Sequence, residues 1–129
     1  MDTRTAANSW TAAWQEGWPS RDVERIAAVY VDGPVYSSHP FREPDTARGY
    51  VERAFGEEDL VEAWFGEPVV DGRRAAVEYW AILAEDGREL TLAGAAFLRF
   101  ERHGRRVTDH RDYWTMEEGP RKPPPGWGR

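Results

Sequence analysis

The stretch AVEYWAIL, residues 76–83, predicts a β-strand that is apolar on both of its faces. Side chains alternate between the two faces of a strand, so every second residue shares a face. One face carries Val77, Tyr79, Ala81 and Leu83. The other carries Ala76, Trp80 and Ile82, and only Glu78 interrupts it. A sheet with one face in water would alternate between apolar and polar residues, so we predict that both faces of this strand are buried.

Gly-containing turns surround this strand at regular intervals. The dipeptides Asp71-Gly72, Asp86-Gly87 and His103-Gly104 are typical of hairpin tips. They divide residues 60–116 into the four strands of a predicted antiparallel meander.

The first third of the chain has a helical period. Apolar residues recur there at spacings of three and four: Ala6, Trp10, Ala13, Trp14 and Trp18. We predict a helix over residues 5–18 that ends at Pro19. Ser20 is predicted to cap a second helix. Asp45 is predicted to cap a third, with Gly56 as its terminator.

If the helices cover one face of the strand at residues 76–83, its other apolar face must be buried by a different segment or molecule. We predict that a second copy of the chain buries it, in a homodimer packed sheet to sheet. Trp80 is the predicted anchor of that interface, with Glu78 and Ile82 beside it.

Composition and charge exclude several classes of function. A chain of 129 residues and 14.8 kDa predicts one domain. The absence of Cys excludes disulfides and thiolate chemistry, and three His residues without ligand spacing predict no metal site. A net charge of −6 argues against nucleic acid or an anionic membrane as partner. No segment predicts a membrane span, and residues 1–10 do not resemble a signal peptide, so a cytoplasmic protein is expected.

The last segment differs in composition from the rest. Residues 119–129 contain Pro120 and Pro123 to Pro125 ahead of Trp127. We predict a domain over residues 1–118 followed by this Pro-rich tail, which favours extended geometry. Two alternatives stay open for Trp127: it belongs to a loose tail, or it folds back over the body or a partner.

Four short motifs support a family resemblance. They are DVERIAAVY (residues 22–30), VYSSHPF (35–41), GYV (49–51) and RDYW (111–114). With the predicted order of helices and strands, they resemble the SnoaL-like branch of the nuclear transport factor 2-like superfamily over residues 5–116. The resemblance implies an α+β cone, in which three N-terminal helices pack on a strongly curved, mostly antiparallel sheet around a pocket. This fold hosts cyclases, isomerases, dehydratases, epoxide hydrolases and non-catalytic proteins.

Similarity to the ketosteroid isomerases assigns three pocket positions. Trp14 occupies the place of their oxyanion-stabilising Tyr, His39 that of their general-base Asp, and Ala96 that of a second, protonated Asp. Because stabilising an enolate needs donors aimed at the oxyanion, Trp14 and Ala96 argue against ketosteroid isomerase chemistry.

Similarity to the limonene epoxide hydrolases assigns three more positions. Val77 and Tyr79 stand where those enzymes place an Arg and an Asp. Asp112 matches the acid of their closing strand and resembles the catalytic Asp of the polyketide cyclases. With only Asp112 retained, epoxide hydrolysis is disfavoured.

His39 and Asp112 are therefore the predicted catalytic residues, as a proton-transferring pair beside a substrate carbonyl. The predicted ligand-binding residues are Trp10, Trp14, Tyr36, Tyr79, Ala96, His110 and Trp114. Structural roles stay open for both members of the pair: His39 would anchor a loop, and Asp112 would pair with Arg99 or Arg111.

The predicted function is binding of a small apolar carbonyl compound, with acid/base catalysis of the cyclase, isomerase or dehydratase type. Such proton transfers require no cofactor, and none is predicted. The alternative is a non-catalytic ligand-binding or dimeric assembly module that uses the same cone.

Overall fold

Three helices and six strands make up residues 2–129, the part of the chain that the computed structural model describes. The helices are α1 (Thr3–Ser20), α2 (Val23–Ala27) and α3 (Ala47–Glu57). The strands are β1 (Tyr36–Ser37), β2 (Asp59–Phe65), β3 (Val69–Asp71), β4 (Arg74–Glu85), β5 (Arg88–Phe100) and β6 (Val107–Glu118). None of the helices in residues 2–129 is long and apolar enough to span a membrane.

Helices α1 and α2 confirm the predicted helical period and correct its boundaries. The carboxylate of Asp2 caps α1 by accepting a hydrogen bond from the Thr5 amide at 2.7 Å. Pro19 lies inside the last turn instead of ending the helix, which stops at Arg21 in a left-handed conformation (φ 55°). Asp22, not Ser20, is the cap of α2, because its carboxylate accepts from the amide of the third residue beyond it.

Helix α3 is displaced by one or two residues from its predicted limits. The Thr46 hydroxyl, not the Asp45 carboxylate, caps it by accepting from the Gly49 amide at 3.0 Å. Asp45 instead accepts a salt bridge from Arg53, at 3.0 Å. Gly56 belongs to the helix and does not terminate it.

The sheet confirms the predicted meander and divides its first strand in two. Its order is β1-β6-β5-β4-β2, with β3 also paired to β4, and β1 runs parallel to β6 while all other pairs are antiparallel. The first predicted strand is thus two strands, β2 and β3. Gly72 and Gly87 lie at the predicted hairpin tips with φ of 60° and 76°, where a side chain would be strained. The third predicted tip lies in the loop between β5 and β6.

The curved sheet packs its inner face against the helices, which confirms the α+β cone. The four residues predicted for one face of β4 are all buried: Val77, Tyr79, Ala81 and Leu83. They belong to this inner face, and Val77 and Tyr79 share one core with Trp10 and Trp14 of α1. Burial of this face therefore closes the cone.

The outer face of β4 and β5 is covered by the C-terminal tail of the same chain. The indole N–H of Trp80 donates to the Arg121 carbonyl at 2.7 Å, and the Trp80 and Trp127 rings meet edge to face at 6.1 Å. The Thr91 hydroxyl donates to the Gly119 carbonyl and accepts from the Arg121 amide. Of the two alternatives for the tail, the structure has the one that folds back over the body.

The end of the tail lies against the turn that follows β2. The Glu67 amide donates to the Gly128 carbonyl at 2.7 Å. A Cβ atom on Gly66 would lie 2.8 Å from the Gly128 Cα, so glycine is required where the two backbones meet.

The apolar outer face was predicted to be covered by a second subunit, and in the structure the tail of the same chain covers it around Trp80. The indole of Trp80, the predicted dimer anchor, is engaged within its own chain. Ile82 is buried without a second subunit, whereas Glu78 is exposed. The pattern in β4 indicated that the outer face is buried, and the burying segment is residues 119–129.

Candidate functional site

A cavity of about 290 Å³ opens between the inner face of the sheet and helices α1 and α3. Nine Trp, Tyr and Phe side chains line it: Trp10, Trp14, Trp18, Tyr36, Tyr50, Phe55, Phe65, Tyr79 and Trp114. Such a wall suits an apolar or planar ligand, because transfer of its apolar surface from water into the cavity favours binding.

Sheet register brings Asp112 to the cavity wall. Val77, Ala96 and Asp112 are direct neighbours on β4, β5 and β6, so their side chains share the inner face. Asp112 lines the cavity and is 6% exposed. Ala96 is buried and does not itself line the cavity, which differs from its predicted contact with ligand.

A chain of buried hydrogen bonds runs from helix α1 to Asp112. The indole N–H groups of Trp10 and Trp14 both donate to the Tyr30 hydroxyl oxygen, at 2.8 and 3.1 Å. That hydroxyl lies 2.8 Å from Nδ1 of His110, and Nε2 of His110 lies 2.7 Å from Oδ1 of Asp112. His110 is 1% exposed, so water does not compete with these bonds.

The donors in this chain fix where the protons lie. Because the Tyr30 oxygen already accepts two N–H groups, its own hydrogen is the one left for Nδ1 of His110. Nδ1 is then the acceptor, and Nε2 carries the hydrogen that is donated to Asp112. In this pattern His110 accepts at Nδ1 and donates from Nε2, and Asp112 accepts through one oxygen.

Two tyrosines stack beside His110 at the cavity wall. The Tyr36 ring lies 3.9 Å from the His110 ring and 4.3 Å from the Tyr50 ring, and both pairs are nearly parallel. Neither the Tyr36 nor the Tyr50 hydroxyl has a hydrogen-bond partner among residues 2–129. Burial, followed by the nearby Asp112 charge, raises the pKa of both hydroxyls well above the usual value, so both remain neutral donors.

Tyr79 is the third cavity tyrosine near Asp112. Burial raises its pKa well above the usual value, and the Asp112 carboxylate raises it further. The six predicted ligand-contact residues that line the cavity are Trp10, Trp14, Tyr36, Tyr79, His110 and Trp114.

His39 and Asp112 do not form the predicted pair. His39 is not among the residues that line the cavity, and its Nδ1 accepts from the Phe41 amide at 3.2 Å. Its ring packs edge to face on Trp114, at 5.2 Å, while the Trp114 indole donates to the Ser38 carbonyl. The geometry is that of a loop anchor, and His110 takes the place beside Asp112.

Acidic side chains line the open end of the cavity. They are Glu57, Glu58 and Glu85, at the end of α3 and the end of β4. Burial raises the pKa of Glu58 from 4.5 to about 7, and the charges of Glu85 and Glu57 add to the shift. Sequence reasoning missed this group, although the acidic run 57–59 directly after a helix was the available signal.

Basic side chains also line the cavity. Arg53 forms the salt bridge with Asp45, whereas Arg42 has no carboxylate partner in residues 2–129 and lies over the Trp114 ring, 5.7 Å from its centroid. Residues 2–129 hold no group of three or more His, Asp or Glu side chains arranged to bind a metal ion.

Comparison with known proteins agrees with this fold. The chain is similar to an epoxide hydrolase of limonene epoxide hydrolase type from Mycobacterium tuberculosis, with a TM-score of 0.71 and 18% identity over 88% of this chain and 86% of that chain. It is also similar to a protein of ketosteroid isomerase-like fold from Catenulispora acidiphila, in complex with trimethylamine (TM-score 0.61, 13% identity, 80% and 82% covered). A nuclear transport factor 2-like protein of unknown function from Cytophaga hutchinsonii gives a TM-score of 0.59 at 11% identity, with 89% and 91% covered.

These likenesses show the fold, and the sequence itself shows the family. No curated protein matches the sequence. The model of the SnoaL-like domain matches residues 10–110, which span both the helices and most of the sheet. The chain therefore belongs to the SnoaL-like domain family.

Proposed function

We propose that the chain binds a small apolar carbonyl compound in the aromatic cavity and transfers a proton with Asp112 as the acid/base group. The observation that carries the proposal is the Asp112 carboxylate, which is 6% exposed, lines the cavity and is held through one oxygen by His110. A carboxylate in such a site meets substrate with little competing water, which favours its use as a base.

The proton transfer starts at a carbon next to the substrate carbonyl. The second oxygen of Asp112 accepts the proton as the C–H bond breaks, and the electron pair moves onto the carbonyl oxygen to give an enolate. In a β,γ-unsaturated ketone, return of the proton from Asp112 to the γ-carbon shifts the double bond into conjugation. In a dicarbonyl compound, the enolate carbon attacks the second carbonyl to close a ring, and the resulting alkoxide takes the proton back from Asp112. Both outcomes regenerate the Asp112 carboxylate without a cofactor.

The tyrosine hydroxyls stabilise the negative charge that develops on the substrate oxygen. Tyr36 and Tyr50 line the cavity as unpaired, neutral donors, since their pKa values are raised. Donors already in place at a developing oxyanion favour the transition state over the ground state.

His110 and Tyr30 are positioning residues in this mechanism. Their hydrogen bonds hold one oxygen of Asp112 at 2.7 Å from His110 and so fix the direction of the other. Both ring nitrogens of His110 are engaged by Tyr30 and Asp112, so His110 does not itself transfer a proton to the substrate.

A hydrogen-exchange experiment tests the proposal. A thermal-shift screen of polyketide-like, terpenoid and steroid-like ketones, with 1-tetralone included, selects a ketone that binds. Exchange of its α-protons in D₂O is then followed by proton NMR. The native protein is expected to accelerate the exchange, and Asp112→Asn, which keeps an acceptor for His110, to reduce it by about 100-fold or more. Tyr36→Phe is expected to reduce it by about 10-fold or more.

The matched control is Tyr113→Phe, because Tyr113 lies on the outer face and is 43% exposed. This variant should exchange at the native rate. A ketone that binds but exchanges no faster than in buffer would contradict the catalytic proposal.

The second candidate function is a non-catalytic binding module with the same cavity. The position of His39 favours it, because only Asp112 of the predicted catalytic pair lines the cavity. The same exchange experiment separates the two, since a binding module stabilises the ketone complex without accelerating exchange.

Homodimerisation and a cytoplasmic location remain predictions. With residues 119–129 over Trp80, we propose that a homodimer would use the outer-face area near Phe97 and Tyr113, which are 42% and 43% exposed and in edge-to-face contact. Light scattering at micromolar concentration measures the molecular mass in solution, and the mass of a monomer would contradict the proposed homodimer.

A further inference from the structure

The open end of the cavity carries carboxylates without cationic partners. Glu57, Glu58 and Glu85 all line it, and none forms an ion pair within residues 2–129. The carbonyl end of helix α3 also lies here, but its Phe55 and Glu58 carbonyls accept from Arg21, so the negative charge comes from the carboxylates. This end of the cavity therefore presents negative charge to an entering ligand.

The nearby arginines do not neutralise this group. Arg53 pairs with Asp45, and Arg42 donates to the Ser38 hydroxyl while it lies over Trp114. Arg21 binds Asp59 and the backbone carbonyl of Phe55. Glu58 is thus half-buried beside two like charges, an arrangement that destabilises the free protein and that a bound cation would relieve.

Aromatic rings continue the wall between the acidic end and the deep end. Trp14, Trp18 and Phe65 line the cavity, with ring centroids 5.5 Å apart for the two tryptophans and 6.4 Å apart for Trp18 and Phe65. The faces of such rings attract ammonium groups.

The deep end offers groups of a different kind. Tyr36 is 3% exposed and lines the cavity, and its hydroxyl forms no hydrogen bond within residues 2–129, so it can donate to a ligand. Such a neutral donor suits a carbonyl oxygen, and the Asp112 carboxylate of the same wall can accept a proton from the carbon beside it. The acidic end therefore favours a cationic group and the deep end a hydrogen-bond acceptor, and one ligand could carry both.

We propose that the cavity takes a carbonyl compound that also carries a cationic amine, with the amine among Glu57, Glu58 and Glu85 and the carbonyl at Tyr36. This proposal rests on the proposed function for the carbonyl end and adds the charge of the substrate class. It makes Glu58 and Glu85 specificity-determining residues, because they select for charge without taking part in the proton transfer.

A pair of isosteric ketones tests this selection. 4-Acetyl-N,N,N-trimethylanilinium and 4-tert-butylacetophenone have the same shape and carbonyl and differ in one positive charge. Calorimetric titration is expected to show the cation binding about 10-fold tighter or more at low ionic strength. That preference should decrease as salt is added, and 4-acetylbenzoate should bind more weakly than either.

The variants locate the source of the preference. The double variant Glu58→Gln/Glu85→Gln is expected to reduce the ratio of the two affinities by about 5-fold or more, with little change for the neutral ketone. Glu62→Gln, which removes an exposed carboxylate of β2 that does not line the cavity, should leave the ratio unchanged. Near-UV circular dichroism checks that each variant is folded.

Two results would overturn the proposal: equal or weaker binding of the cation by the native protein, including no binding at all, or a preference that survives the double variant. Failure of the proposed function is distinguishable. In that case Asp112→Asn leaves α-proton exchange unchanged, whatever the charge preference of the cavity.

Discussion

The two faces of the same sheet are both apolar, yet they are closed in different ways. The inner face meets helices α1 and α3 and retains a cavity with a buried polar chain from Trp10 to Asp112. The outer face meets residues 119–129, whose backbone carbonyls accept from Trp80 and Thr91. The inner cover therefore leaves room for a ligand, whereas the outer cover occupies the part of its face around Trp80 and Thr91 with the chain itself. The side-chain pattern of a strand indicates that a face is buried. It does not indicate whether that face borders a ligand cavity or is packed against another segment of the chain.

The largest effect is expected from Tyr30→Phe, which breaks the polar chain of the inner face. The change removes the acceptor of two indole N–H groups and the donor to His110. Because each buried group left unpaired costs about 1–3 kcal/mol, we expect a loss of about 2–4 kcal/mol in the free energy of unfolding. Urea denaturation measures it, with Tyr113→Phe on the outer face as the matched loss of a hydroxyl. Equal losses in the two variants would show that the polar chain contributes nothing to stability.

A smaller effect is expected from Trp127→Ala, which weakens the cover of the outer face. The variant loses the edge-to-face contact with Trp80 and its buried area, and we expect a loss of about 1–2 kcal/mol. Tryptophan emission should shift to longer wavelength as Trp80 meets water. Lys122→Ala, an exposed change in the same tail, is the control. Unchanged stability and emission in Trp127→Ala would mean that the tail does not hold this face in solution.

The smallest effect is expected from Glu58→Gln, and it depends on pH. The pKa of Glu58 is about 7 in the folded protein against an ordinary 4.5, so the fold retains a proton that the unfolded chain has lost between those values. That contribution to stability is complete below about pH 4.5 and disappears as the pH rises through 7. Glutamine resembles the protonated form at every pH, so we expect Tm to rise by about 1–3 °C at pH 8 and to stay unchanged at pH 5.

Differential scanning calorimetry at the two pH values measures the Glu58→Gln shift. Glu62→Gln, an exposed carboxyl on β2, is the control. A Glu58→Gln shift that is the same at pH 5 and pH 8 would contradict the assignment of Glu58 as a half-buried carboxylate under repulsion.

Most of the fold was predictable because burial sets the period of each element. The helical stripe through Trp10 and Trp14 and the strand alternation around Tyr79 both follow from which side chains enter one core. Element ends were less predictable, since neighbouring polar residues compete for each cap. Thr46 caps α3 while the Asp45 beside it pairs with Arg53, and the sequence allows either use.

The candidate site was predictable where it lies on a strand and not where it lies on a loop. Asp112 and His110 share one face of β6 by parity, and the structure has both at the cavity. His39 precedes a proline in a loop whose path depends on contacts such as that between Ser38 and Trp114. The pairing of His110 with Asp112 also depends on Tyr30, which lies eighty residues earlier in the chain and reaches β6 through a bridge to Val107 that the sequence does not indicate.

Docking of residues 119–129 on the outer face also imposes an order on biosynthesis. The helices that close the inner face are made first, so that face can close as soon as the strands follow. Trp80 has no cover until residues 119–129 have left the ribosome. During that interval the nascent chain presents an aromatic sheet face to its surroundings, which is the kind of surface that chaperones recognise and that promotes aggregation.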